Sequence, residues 1–205
     1  MWKGFLVGLV VANGFEWVAH KYILHGTHRS GKPRYSPVPD SMKSHWEHHR
    51  EVRKTDFNDH GYVEGISNWR TKNEIVSLAV VASAASVLFY PVSKGMAAAA
   101  VYSACNYYYI HRRAHLEPDW AMKKIPWHYD HHMNSNQDAN WCVTKPWFDY
   151  ILGTRVISSE NLQEQNPLGI ALPQPFSKVL NFVAERYFPA KWVEKVSKLE
   201  FKVEA

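Results

Sequence analysis

Ten histidines set at helical ligand spacing constrain this chain more than any other feature. His20 and His25 form a pair and His45, His48 and His49 a triplet; His111 with His115, then His128, His131 and His132, repeat the pattern. The order is pair, triplet, long insertion, pair, triplet, so the chain delivers two matching half-sites. Residues three or four apart share a helix face, so each triplet projects its imidazoles from one side of a helix. Three imidazoles beside a pair from another helix crowd a single ion, and two ions sharing the ligands relieve the crowding. The imperfect pair is His20 and His25, which at five apart differ by about 140° on a regular helix. Both can ligate if the helix widens near Gly26, as a single-turn π-bulge allows. His28 and His60 lie outside the clusters and are read as core or surface positions. Glu47, Arg112 and Arg113, interleaved with the histidines, are read as facing solvent or anchoring the fold.

Neutral imidazoles suit zinc, copper, iron and nickel alike. No cysteine joins the clusters, which argues against a structural zinc finger, and no HxHxD string of the hydrolytic two-metal kind occurs. An almost all-histidine pair of ions concentrates positive charge. Glu16, Asp130 and Asp138 are the candidates to offset it by accepting the second ring N–H of a ligand. Such a centre suits a redox metal that binds oxygen.

The chain has 205 residues and a formal charge of +5. Its Lys and Arg are scattered among acids and form no basic stripe, which excludes nucleic acid as the natural partner. Cys105 and Cys142 are too few for a disulfide framework and point to a reducing compartment. The apolar start runs into Glu16, His20 and Lys21 with no small-residue cleavage site, so it is not read as a signal peptide.

The expected fold class is all-α: a helical bundle with a central apolar hairpin, whose histidine-bearing helices enclose two metals. Residues 1–155 form the helical domain, and 156–205 a loop and amphipathic helical tail packed on it. Residues 2–25 read as one helix with Asn13, Glu16 and His20 sharing a face. Residues 27–43 are a loop; a helix starts near Asp40 or Ser41; and the polar stretch 50–71 turns at Asp56, Asn58, Asp59 and Gly61. Residues 75–92 carry no charge over a length that can cross a bilayer. A break at Pro91 to Gly95 leads to a second apolar run, 96–110, that enters His111. Beyond Trp141 a short helix ends at Gly153. From 176, the row Phe176, Val179, Leu180, Val183 and Tyr187 reads as the packing face of a last helix, with a membrane surface as the alternative.

HKYILH at 20–25, HWEHH at 45–49, HRRAH at 111–115 and HYDHH at 128–132 resemble the histidine boxes of the fatty acid hydroxylase and sterol desaturase superfamily. EWVAHKYILHG also resembles the first boxes of bacterial carotenoid ring hydroxylases. The resemblance covers about residues 10–155. It implies a helical bundle with a non-haem di-iron centre that uses oxygen and two external electrons to hydroxylate or desaturate an unactivated C–H bond. Box by box it carries the ligand role onto His20, His25, His45, His48, His49, His111, His115, His128, His131 and His132. The expected cofactors are two iron ions, with zinc in a purified form. Members commonly have four membrane-spanning helices, whereas only residues 75–110 give clear apolar runs here. The expected location is the cytoplasmic membrane with the site facing the cytosol, or else a soluble cytoplasmic protein.

Tyr107, Tyr108, Trp127 and Trp141 are the candidate walls of a pocket for a hydrophobic substrate. No Gly-rich cofactor motif or fused haem domain is present, so electrons are expected from a separate carrier such as a ferredoxin with its reductase. Asp138 and Trp141 are expected beside the metals, and Arg112 and Arg113 away from them. A two-zinc hydrolase and a non-catalytic metal-binding protein are the competing readings.

Overall fold

The computed structural model describes residues 1–26, 40–134, 138–158, 166–188 and 191–193. Most of the expected 27–43 loop, His28 included, lies outside them. The fold is all-α apart from one short pair of strands.

Three long helices form an apolar stalk. Helix α1 (Trp2–Val18) continues into a π-helical turn, Ala19–Leu24. Helix α2 (Asp40–Lys54) follows, then a short α3 (Gly61–Glu64) and a 3₁₀ turn at Gly65–Ser67. Helix α4 (Trp69–Phe89) and helix α5 (Lys94–Leu116) make the hairpin expected from the charge-free run. Asn68 caps α4 and Ser93 caps α5, each accepting backbone N–H groups as good N-cap residues do. Helices α1 and α5 lie side by side and run the same way: Gly8 faces Met96 and Ala99, and the rings of Phe5 and Tyr102 are 5.6 Å apart. Both therefore arrive together at the histidine end, α1 at His20 and α5 at His111.

The stalk's outer surface is apolar: Val7, Val10, Val80, Val87, Leu88 and Tyr102 are exposed. Helix α4 is long and apolar enough to cross a membrane, and among the described residues it is the one helix that meets that test.

The histidine end is closed by α6 (Pro118–Lys124) and α7 (Pro126–Met133), each opened by a proline at its first position, where a missing N–H costs nothing. Val52, Phe57, Ala114, Ala121, Ile125 and Trp127 form the core beneath them. Helix α8 (Trp147–Ile151) ends before Gly153, whose φ of +66° suits glycine. Strands β1 (Val156–Ser158) and β2 (Lys191–Val193) then pair in parallel, with Val156 opposite Lys191. Runs of three residues are too short to leave a period-2 pattern, and no strand was expected here.

Helix α9 (Gln174–Tyr187) lies where its periodicity predicts, but turned by about 90°, with a neighbouring face inward and Leu180 of the expected row half-buried. Ser177 and Ala184 are the buried residues, whereas Phe176, Val179, Val183 and Tyr187 of the expected packing row are exposed. Small side chains allow close approach of the helix, and the bulky row is left outside.

The close α1–α5 contact is testable. A Cβ on Gly8 would come within 2.5 Å of the Ala99 Cβ, so Gly8→Val should force the helices apart. The expected loss is about 1–3 kcal/mol, read as a lower thermal midpoint in detergent; an unchanged midpoint would show that the contact is not tight.

Candidate metal centre

All ten clustered histidines are buried, none more than 8% exposed. They sort into two groups able to hold a metal ion. One comprises His20, His25, His45, His49 and His131; the other His48, His111, His115 and His132; within each, the ligand atoms lie within 4.8 Å of one another. His128 Nε2 is 3.1 Å from His115 Nε2, beside the second group.

The sorting follows from helical geometry. In a triplet at i, i+3, i+4, the first and last side chains are about 40° apart in azimuth and the middle one swings about 60° to the other side. On α2, His45 and His49 accordingly serve the first group and His48 the second. On α7 the middle histidine, His131, joins the first group while His132 joins the second. The half-sites written in the sequence thus exchange their central histidines.

The pair five apart is reconciled by the π-helical turn. The His25 backbone N–H bonds the His20 carbonyl at 2.9 Å, an i→i+5 bond that inserts one residue into the turn. Both rings then face the same ion position, with centroids 5.0 Å apart.

Five histidines have their tautomer fixed from outside. His20 Nδ1 donates to the Trp141 carbonyl at 2.5 Å, His131 Nδ1 to the Ala139 carbonyl at 2.7 Å, and His115 Nδ1 to the Phe57 carbonyl at 2.9 Å. His48 Nδ1 donates to Asp59 at 2.7 Å, and His111 Nδ1 to Glu74 at 2.6 Å. With the proton on Nδ1, the inward Nε2 of each carries a lone pair.

These inward nitrogens have no adequate partners among themselves. His20–His45, His25–His45, His25–His49, His45–His49, His131–His25 and His131–His49 all approach at 3.0–3.2 Å through Nε2. A few ring protons cannot satisfy so many mutual contacts. The Nε2 atoms of His48, His111 and His132 are buried with no hydrogen-bond partner at all. An ion at about 2.0–2.1 Å from each imidazole nitrogen would set adjacent ligands roughly 2.9–3.4 Å apart. The spacing observed fits a cation at the centre, and the residues present fit a pair of metal ions.

Loops position the outer partners. Asp56 and Phe57 both have positive φ, 56° and 76°, a strained arrangement for non-glycine residues. It presents the Phe57 carbonyl to His115 and leads the chain to Asp59. Asp59 also accepts from Arg70 at 2.7 Å and the Gly61 N–H at 2.8 Å. Burial alone would raise its carboxyl, but the His48 hydrogen bond, the Gly61 N–H and Arg70 act against it and hold the group at about 2. The Tyr62 hydroxyl donates to Glu74 at 2.6 Å and braces it against His111. On the other side, buried Asp149 accepts the Trp141 and Cys142 N–H groups at 2.8 Å and the Thr154 hydroxyl at 2.7 Å. That fixes the loop whose carbonyls receive His20 and His131.

The expected outer carboxylates have other duties. Glu16 accepts the Val143 and Thr144 N–H groups and the Thr144 hydroxyl, tying α1 to that loop. Asp130 is paired with Arg155 at 2.8 Å, both fully buried, and accepts from Ser158 at 2.8 Å, so it anchors α7. Asp138 is exposed, although expected beside the metals: the loop brings its neighbour's carbonyl to His131 and turns the Asp138 side chain outward.

Asp59 and Glu74 were missed. Asp59 reads locally as a turn residue, and Glu74 falls one residue short of the charge-free run. A lone carboxylate at the foot of an apolar helix was the available signal, the same one that singled out Glu16.

Trp141 does lie against the site, its ring 5.0 Å from His25 and 5.5 Å from His131. Tyr107 is half-buried, 5.4 Å from the His111 ring, and Tyr108 lies 6.3 Å from Tyr62. Trp127 belongs to the core, not to a pocket wall; it is fully buried and its indole N–H donates to the Val143 carbonyl at 2.9 Å. Arg112 donates to the Tyr62 carbonyl, Arg113 pairs with Glu117, and exposed His60 precedes α3.

No protein-family model, curated protein or solved structure matches the chain.

Burial, reinforced by the neighbouring rings, holds His45, His49, His128 and His132 well below the ordinary imidazole value, and burial lowers His48 despite Asp59. Burial brings His131 to about 4 from 6.5. A lowered histidine contributes stability that is complete above the unfolded value and is lost as pH falls from 6.5 towards 4, because the unfolded chain takes up the proton first. For His131 this amounts to about 3 kcal/mol. Chelator-treated protein should therefore lose thermal stability steeply between pH 6.5 and 4, and a flat profile would contradict neutral burial of the cluster.

Proposed function

We propose that this chain is an oxygen-dependent non-haem di-iron monooxygenase, a hydroxylase or desaturase acting on an unactivated C–H bond of a hydrophobic lipid or terpenoid-like substrate. The boxes resemble those of the fatty acid hydroxylase and sterol desaturase superfamily, and the reading takes the chain as a member of it. The observation that carries the proposal is the pair of buried imidazole groups: in one the inward nitrogens crowd one another at 3.0–3.2 Å, and in the other those of His48, His111 and His132 have no hydrogen-bond partner.

Two iron ions bound there supply oxygen activation sufficient to break an aliphatic C–H bond, with electrons from outside. The chain's own residues hold and orient the ligands through Asp59, Glu74, Tyr62 and the carbonyls of Phe57, Ala139 and Trp141. Trp141 and Trp46 meet the His25 ring edge-on and Tyr62 lies parallel to His115, apolar surface that would keep bulk water from the ions. Tyr107, one turn before His111, is the candidate substrate wall. The electron donor is a separate protein such as a ferredoxin with its reductase.

An apolar substrate suits a membrane setting. At 1.5 Å per residue the charge-free part of α4, 75–89, covers about 22 Å of a hydrocarbon core of about 30 Å, with Arg70, Lys72 and Glu74 at the histidine end. Exposed Trp69 and Tyr90 mark its two ends, as aromatic residues do at both interfaces of a bilayer. We read the stalk as membrane-embedded, with the histidine end at the cytosolic face.

Protein from iron-replete cells should contain close to two irons per chain, take up oxygen when given a reductant, and yield lipid products heavier by one oxygen atom or lighter by two hydrogens. His48→Ala and His131→Ala should each abolish activity and lower the iron content. Hydrolysis without oxygen or reductant would make it a two-zinc hydrolase, and tight zinc with no turnover a metal-binding protein. Full iron loading in both alanine variants would sink the ligand assignment.

A further inference from the structure

The two histidine groups differ in what stands behind them. In the group of His48, His111, His115 and His132, two rings donate to carboxylates, His48 to Asp59 at 2.7 Å and His111 to Glu74 at 2.6 Å. Both carboxylates are themselves fixed: Asp59 by Arg70 and the Gly61 N–H, Glu74 by the Tyr62 hydroxyl at 2.6 Å. In the group of His20, His25, His45, His49 and His131, the outer partners are backbone carbonyls, those of Trp141 and Ala139. The Nδ1 atoms of His25 and His49 are buried without a partner, and among the described residues no carboxylate bonds any imidazole of this group.

A carboxylate behind an imidazole does two things that a carbonyl does less well. It makes the ring a more basic donor, and it places negative charge near a buried cation whose hydration has been removed. The first group offers one more imidazole, but a neutral ligand brings no countercharge. Two of its five rings, His25 and His49, also lack the outer bond that holds a ligand in its orientation, against one of four, His132, in the second group. Countercharge and fixed orientation both favour the second group.

We infer that the two ion sites are inequivalent: the site of His48, His111, His115 and His132, backed by Asp59 and Glu74, holds its ion more tightly than the site of His20, His25, His45, His49 and His131. Asp59, Glu74 and Tyr62 are positioning residues for the tighter site. The inference rests on the reading that both groups bind metal, and loss of an outer partner of this kind typically weakens binding 10–100-fold.

The test uses the full chain loaded with cobalt(II), whose visible absorption reports coordination, and challenged with increasing EDTA while metal per chain is measured. Two steps separated by at least tenfold in chelator are expected, with a plateau at one ion per chain. Asp59→Asn and Glu74→Gln should shift the late step at least tenfold towards the early one and leave the early step in place. Retention of that early step shows the variants to be folded. Tyr62→Phe, which keeps the carboxylate but removes its brace, should shift the same late step less. Release of both ions from the wild-type chain in one step, or movement of the early step by the carboxamide variants, would overturn the inequivalence. A wild-type chain that binds no cobalt would instead defeat the di-metal reading beneath it.

Discussion

A buried imidazole nitrogen that faces another at 3.0–3.2 Å repels it wherever both carry lone pairs, and the Trp141 and Ala139 carbonyls take the Nδ1 protons of His20 and His131 and leave their lone pairs inside. The rest of the fold answers to that arrangement. Helices α1 and α5 deliver a pair each, α2 and α7 a triplet each, and the loops at 56–59 and 139–142 supply the acceptors that fix which nitrogen points inward. A cation at the centre of each group would accept the lone pairs that its imidazoles turn inward, which is what fits the cluster to a metal.

Placing those helices depends on small residues as much as on large ones. Glycine at position 8 lets α1 meet α5 closely, and their common direction brings His20 and His111 to the same end of the stalk. The buried Asp130–Arg155 pair then holds α7 in register with the chain beyond it. Removing either partner would leave an uncompensated buried charge, which is far more costly than the pair itself.

Much of this was legible in the sequence because periodicity survives folding. The 3.6-residue period placed the long helices, and the five-residue gap between His20 and His25 demanded a widened turn, which the π-helical segment supplies. What stayed hidden depended on contacts across the chain. Asp59 carries no local mark beyond its turn, and its partner His48 is eleven residues away. Glu74 reaches His111 over thirty-seven residues. Glu16 and Asp130 were expected to accept ring N–H groups of the ligands, but a carboxylate's place in the sequence does not say which donor satisfies it; the 143–144 amides and Arg155 do. The rotated packing of α9 has the same root, since amphipathicity fixes which residues share a face and not which face meets the protein.

The exchange of His48 and His131 between the two groups makes each ion a cross-link between distant parts of the chain. His131 meets His25 across 106 residues and His49 across 82. An ion that binds only the native chain stabilises it by mass action, by about 1.4 kcal/mol for each tenfold of free metal above its dissociation constant. Metal entry would therefore hold the two halves of the chain together once both have formed. Contacts of such long range are slow to assemble, so the sequence of events on the way to the native state would run from local helices to stalk to ligand cage, with the ions sealing a topology already in place.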